Sequence, residues 1–160
     1  MLFLSYAHVG GENNAIVSGT LPTDEVNGYS HINLGDLSYV AEDIAELRFY
    51  CETSRHTRTV HFKTTAATIK NIAITGDQTG NAAPIWNTGF TPLTGHGGNL
   101  PGAATSAVTD PTGGFTEYPF LNPSLFHWGI QGGGTSWECD DFTNDFSQAT
   151  RHNVWVRMAP

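Results

Sequence analysis

The sequence predicts an all-β fold: an antiparallel β-sandwich, jelly-roll-like, with long irregular loops and little or no helix. Three observations predict it. Apolar and polar residues alternate at period two in several stretches, Gly- and Pro-rich turns separate those stretches, and no strand–helix–strand alternation is visible.

Taken in order, Leu2 to Val9 and Asn14 to Thr20 read as strands separated by Gly10-Gly11. Helical periodicity is confined to Tyr39 to Ala45, enough for one or two turns. The clearest strand is Ile44 to Glu52. Ala45, Leu47, Phe49 and Cys51 share its apolar face, and Glu46, Arg48, Tyr50 and Glu52 share the polar one. A turn at Thr53 to His56 leads into Thr57 to Thr64, completing a hairpin. Its register decides whether Glu46, Arg48 and Glu52 pair with Arg55, Arg58 or Lys63. The β-branched run Thr68 to Thr75 reads as a further strand, as do His127 to Gln131 and Asn153 to Arg157. Trp155, inside the last run, is assigned to the core. Both ends of the chain fall in strands, which suits a self-contained or excised module.

Residues 1–160 read as a single domain, since no linker divides them. Within it, Gln78 to Thr109 carries no Asp, Glu, Lys or Arg and is rich in Gly, Asn, Thr, Ala and Pro. That is too long for a plain connection. Ile85, Trp86, Phe90, Leu93 and Leu100 would anchor it as an ordered excursion on the sheet or on a neighbouring subunit.

Charge excludes several roles. The formal net charge is −8, with only 7 Lys and Arg, so cationic neutralisation of phosphates cannot drive nucleic-acid binding. An anionic membrane surface is disfavoured on the same ground. No apolar run approaches the ~20 residues of a membrane-spanning helix. The opening Met1 to Ala7 lacks the basic region of a secretory signal. An extracellular or surface-displayed setting is expected, with a leader removed, a longer parent chain or another export route. The single Asn-x-Ser pattern, Asn122-Pro123-Ser124, is blocked by proline.

The chain has 2 cysteines. Cys51 lies on the apolar face of its strand, where a core disulfide to Cys139 would sit. A loop of roughly 90 residues closed this way stabilises by about 4.5 kcal/mol in the chain-entropy model. Two separate buried thiols are the alternative.

The densest polar stretch is Trp137-Glu138-Cys139-Asp140-Asp141-Phe142-Thr143-Asn144-Asp145. Carboxylates this close repel unless something compensates. Ca²⁺ held by Asp140, Asp141 and Asp145 is one answer; a solvated acidic loop, or pairing with Arg48, Arg151 or Arg157, is the alternative. Carboxylates and amides beside aromatic rings also suit sugars, whose hydroxyls need paired acceptors and whose C–H faces stack on rings. Glu138, Asp140, Asp141, Asn144 and Asp145 would supply the polar contacts. Trp137, Trp128 and Tyr118 would supply the rings, with Trp86 and His127 as further aromatics.

Catalytic signals are thin. No G-x-S-x-G elbow occurs, and neither Gly113-Gly114 nor Gly132-Gly133-Gly134 is a phosphate loop. Glu138 and Asp140 fall on the same side of a strand, as a glycan hydrolase would need, but so do carboxylates in many strands. The 7 histidines show no HxH or HExxH spacing, and no CxxC occurs, so zinc is not expected. The leading expectation is therefore a lectin-like module that binds a cell-surface or polymeric glycan and is not an enzyme. The alternative is a homo-oligomeric subunit of a surface assembly (viral shell, fibre head or appendage) with its contact in residues 78–109.

Overall fold

A computed structural model describes residues 1–8, 16–76, 90–97, 115, 128–130, 137–140 and 149–160; at 137 and 138 it describes the backbone alone. These residues form mostly antiparallel β-sheet with little helix. The strands are β1 (Leu2–His8), β2 (Tyr29–His31), β3 (Ile44–Thr53), β4 (Val60–Thr64), β5 (Phe90–Pro92), β6 (Trp128–Ile130), β7 (Trp137–Cys139) and β8 (Thr150–Met158). A six-stranded sheet runs in the order β2-β1-β8-β3-β4-β5, and β6 and β7 form a separate two-stranded ladder.

Period-two alternation gives the large sheet two distinct faces. Leu47, Phe49 and Cys51 of β3, Val60 and Phe62 of β4, and Val154 and Val156 of β8 all point inward and are buried. Leu4 and Tyr6 of β1 join them. A register shift between Leu2 and Leu4 brings Phe3 to the core as well. A second shift, between Ile44 and Glu46, buries Ile44 at the start of β3. Ala45 is only half-buried, although simple alternation placed it with Leu47.

Phe49 is the hub of the core. Phe62 stacks on it at 5.1 Å, while Phe115 and Trp128 meet it edge-on at 5.2 and 5.4 Å. Each such pair adds about 0.5–1.5 kcal/mol beyond area burial. The small ladder closes over this face of the sheet: Trp128 also lies edge-on to His152 of β8, and Cys139 of β7 is bonded to Cys51 of β3. The expected disulfide is thus present, with Cα atoms 5.8 Å apart.

The run read as a strand over Thr68 to Thr75 is instead an α-helix, α1 (Ala67–Thr75). Its β-branched residues suit either state, but Ile69, Ile72 and Ala73 recur at i, i+3 and i+4 and are the residues buried. Gly76 ends α1 in the left-handed conformation (φ 70°), its N–H donating to the Ile72 carbonyl at 2.7 Å. A short 3-10 turn at Ala41–Asp43 falls within Tyr39 to Ala45, where slight helicity was expected, and another at Leu34–Leu37 precedes that stretch. Of the expected strand over Asn14 to Thr20, the described part makes one isolated parallel bridge, Ser18 to His31.

Candidate functional site

The opposite face of the large sheet is where chemistry collects. Register fixes its rows. Arg48 lies between Trp155 and Lys63, and Leu2 flanks Trp155. In the next row Tyr50 lies between Asn153 and His61, with Ser5 beyond Asn153. Glu52 opposes Arg151 on one side, and Glu46 opposes Arg157 on the other. Alternation dictates this arrangement, because each residue is one position off the buried parity of its strand.

The side chains form a connected network. The Arg48 guanidinium lies over the Trp155 ring at 4.5 Å, and that of Arg151 over Tyr50 at 5.2 Å. Trp155 Nε1 donates to Glu25 Oε1 at 3.0 Å. Asn153 Nδ2 donates to Ser5 Oγ at 2.9 Å and to the Glu25 carbonyl at 3.2 Å. Tyr50 Oη donates to Glu52 Oε2 at 2.6 Å, and Glu52 Oε1 pairs with Arg151 at 2.9 Å. Glu46 accepts from both Lys63 (2.9 Å) and Arg157 (3.1 Å). Those two hydrogen bonds hold its carboxyl down to about 2. Burial, then the bond to Glu52, raises the Tyr50 phenol.

Arg48 Nε donates to His61 Nε2 at 2.6 Å. A guanidinium N–H can only donate, so His61 carries its own proton on Nδ1 and gives it to the Thr94 carbonyl at 2.7 Å. Partial burial lowers the His61 pKa, and the positive charge of Arg48 lowers it further, both favouring this neutral form.

Clefts follow β8 along this face. The first, of 190 Å³, is lined by Glu25, Arg48, Tyr50, Arg151, Asn153 and Trp155. A second, of 470 Å³, shares the Arg48–Trp155 pair and extends to Glu46, Arg157 and Met158. A third, of 390 Å³, shares Arg151 and continues toward Asn27, Ser54 and Thr150. The larger two fall within the roughly 300–1,000 Å³ usual for ligand sites.

The described residues among those singled out from sequence lie elsewhere. Trp137 and Glu138 sit in β7, where their backbones pair with Ile130 and Gly129. Tyr118, Asp141, Asn144 and Asp145 lie outside the described residues, as do Trp86 and His127. Trp128 was expected as an exposed ring, but it is 1% exposed and part of the aromatic core, so its faces are not offered to a ligand. Asp140 has a side chain only 4% exposed and is paired with Arg58, whose Nη2 also donates to the Asp140 carbonyl at 3.1 Å. The cation compensating this carboxylate is thus Arg58, not Arg48, Arg151 or Arg157. His56 Nε2 meets the Cys139 carbonyl at 2.8 Å. Together with the disulfide, these contacts clamp residues 139–140 to β3 and the loop after it. Among the described residues, no group of three or more His, Cys, Asp or Glu side chains is placed to hold a metal ion.

Trp155 is the main correction. Assigned to the core from sequence, it is half-buried on the outer face, in register with Arg48. The signal was present: Arg151, Asn153 and Arg157 share its parity, and Val154 and Val156 hold the other.

Comparison with known proteins returns no matching family model, no matching curated protein and no matching solved structure.

Proposed function

We propose that this chain is a lectin-like recognition module, a jelly-roll-type sandwich displayed outside the cell, that binds a glycan along the outer face of its large sheet. One observation carries the reading. Two aromatic rings, Trp155 and Tyr50, alternate with Arg48, Asn153 and Arg151 on adjacent strands, and the clefts they line run end to end along β8. Sugar recognition asks for rings to cover C–H faces and for fixed polar groups to meet hydroxyls. Here both are set on strands rather than loops, and most of the polar groups are already held by a neighbour, which lowers the ordering cost of binding. The disulfide suits an oxidising compartment.

The site differs from the one expected at residues 137–145, so the reading is testable at single positions. Glycan-array binding followed by titration calorimetry should show a ligand for the wild-type chain. Trp155→Ala should weaken it by about 10-fold or more while circular dichroism stays unchanged. Absence of binding to any glycan, or full binding by Trp155→Ala, would sink the proposal. The same titration in EDTA tests the expected calcium: affinity that survives chelation removes the metal.

A further inference from the structure

We infer that the glycan carries a carboxylate and that Arg48 is the group that receives it; this rests on the proposed glycan reading. The cations of the outer face are not equivalent. Lys63 and Arg157 share Glu46, and Arg151 pairs with Glu52. Arg48 has no carboxylate partner among the described residues. Its cross-strand neighbour is Lys63, a like charge, and the nearest carboxylate on its own strand, Glu46, is already taken by two other cations. Like charges placed directly opposite are destabilising, so this row keeps an uncompensated positive charge.

Arg48 is nonetheless fixed in place. Trp155 supports its guanidinium plane at 4.5 Å, and His61 takes the Nε proton at 2.6 Å. What remains is the end of the guanidinium, two parallel N–H groups on Nη1 and Nη2, which match the two oxygens of a carboxylate. Arg48 is exposed and lines both clefts that meet at Trp155, so these donors are reachable from either side. Across Trp155 stands Glu25, whose Oε1 is engaged by the indole and whose side chain is in no ion pair among the described residues. A bare anion would be repelled there. A sugar acid presents its carboxylate to Arg48 and its hydroxyl donors to Glu25, and so satisfies both charges at once.

The test compares acidic oligosaccharides with their carboxyl-reduced, neutral counterparts. A uronic-acid-terminated disaccharide and a nonulosonic-acid-terminated trisaccharide are titrated in each form against wild type and Arg48→Gln. Wild type should prefer the acids by about 10- to 100-fold, the range of hydrogen bonds to charged groups. Arg48→Gln should bind acid and neutral forms alike, whatever its affinity for the neutral form. Equal binding of both forms by wild type overturns the carboxylate assignment and leaves glycan binding intact. A preference that survives Arg48→Gln overturns the role of Arg48. Competition by acetate or a peptide C-terminus as effective as the sugar acid overturns the sugar half, and binding of neither form removes the glycan reading and this inference together.

Discussion

Replacing both bridging cysteines (Cys51→Ala with Cys139→Ala) removes a covalent link between residues 88 positions apart. Loop-closure entropy for a loop of this size is about 4.5 kcal/mol. Domain stabilities are usually about 5–15 kcal/mol, so the loss is about 30% or more of the total. The native side changes less. Both cysteines are fully buried, but the His56 and Arg58 contacts to residues 139–140 survive and keep β7 near β3. The double variant should therefore fold to the same sheet, lose about 4–5 kcal/mol, and melt about 10–15 °C lower. Urea unfolding followed by tryptophan fluorescence reads both the midpoint and the slope. The slope should steepen, because the unfolded chain without its cross-link exposes more surface. A loss below about 2 kcal/mol with an unchanged slope would refute the loop-entropy argument.

Two further outcomes follow from other parts of the sheet. Burial pushes the His31 imidazole down to about 4, with Nδ1 at 2.6 Å from Tyr6 Oη. The unfolded chain then binds the extra proton first, so this contribution is complete above about pH 6.5 and is lost as pH falls toward 4, costing about 2–3 kcal/mol. The fall in urea midpoint between pH 7.5 and 4.5 should be smaller in His31→Gln; an identical fall would disprove it. Gly28→Ala puts a methyl into the Asp24 carbonyl oxygen and within 2.6 Å of Ser5 Oγ, the acceptor for Asn153. It should cost about 1–3 kcal/mol, and a change under about 0.5 kcal/mol would show that the 24–28 turn yields freely.

Local pattern reads some of these elements well and others badly. The inward set of β3 from Leu47 onward is legible because alternation is strict and one face is charged. Ala45, near the start of that strand, is misread as part of the inward set, because a register shift leaves no mark in the letters. Thr68 to Thr75 misleads because Ile and Thr carry β propensity, while the spacing of Ile69, Ile72 and Ala73 carries the helix; the stronger local preference was the weaker evidence. Trp155 misleads because its own hydrophobicity points to the core, while the parity it shares with Arg151, Asn153 and Arg157 points outward. The candidate site on the outer face is assembled from β1, β3, β4, β8 and the turn at residues 24–28. Only pairing register brings Arg48 against Trp155, or Asn153 against Ser5, so no contiguous motif announces it. The stretch at 137–145 stands out because its charges are adjacent in sequence, yet the described carboxylate there, Asp140, serves to hold the ladder down.

The place of β8 between β1 and β3 has a consequence for how the polypeptide is made. Residues 2–8 and 44–53 leave the ribosome long before residues 150–158, and until then neither strand has its shared neighbour. The growing chain must carry two half-satisfied hydrogen-bonding edges until residues 150–158 emerge, and the six-stranded sheet can close only when β8 slides between them. Such distant pairings make for slow folding, in the range of milliseconds to seconds, and for a growing chain that depends on not meeting another copy of itself before β8 is in place.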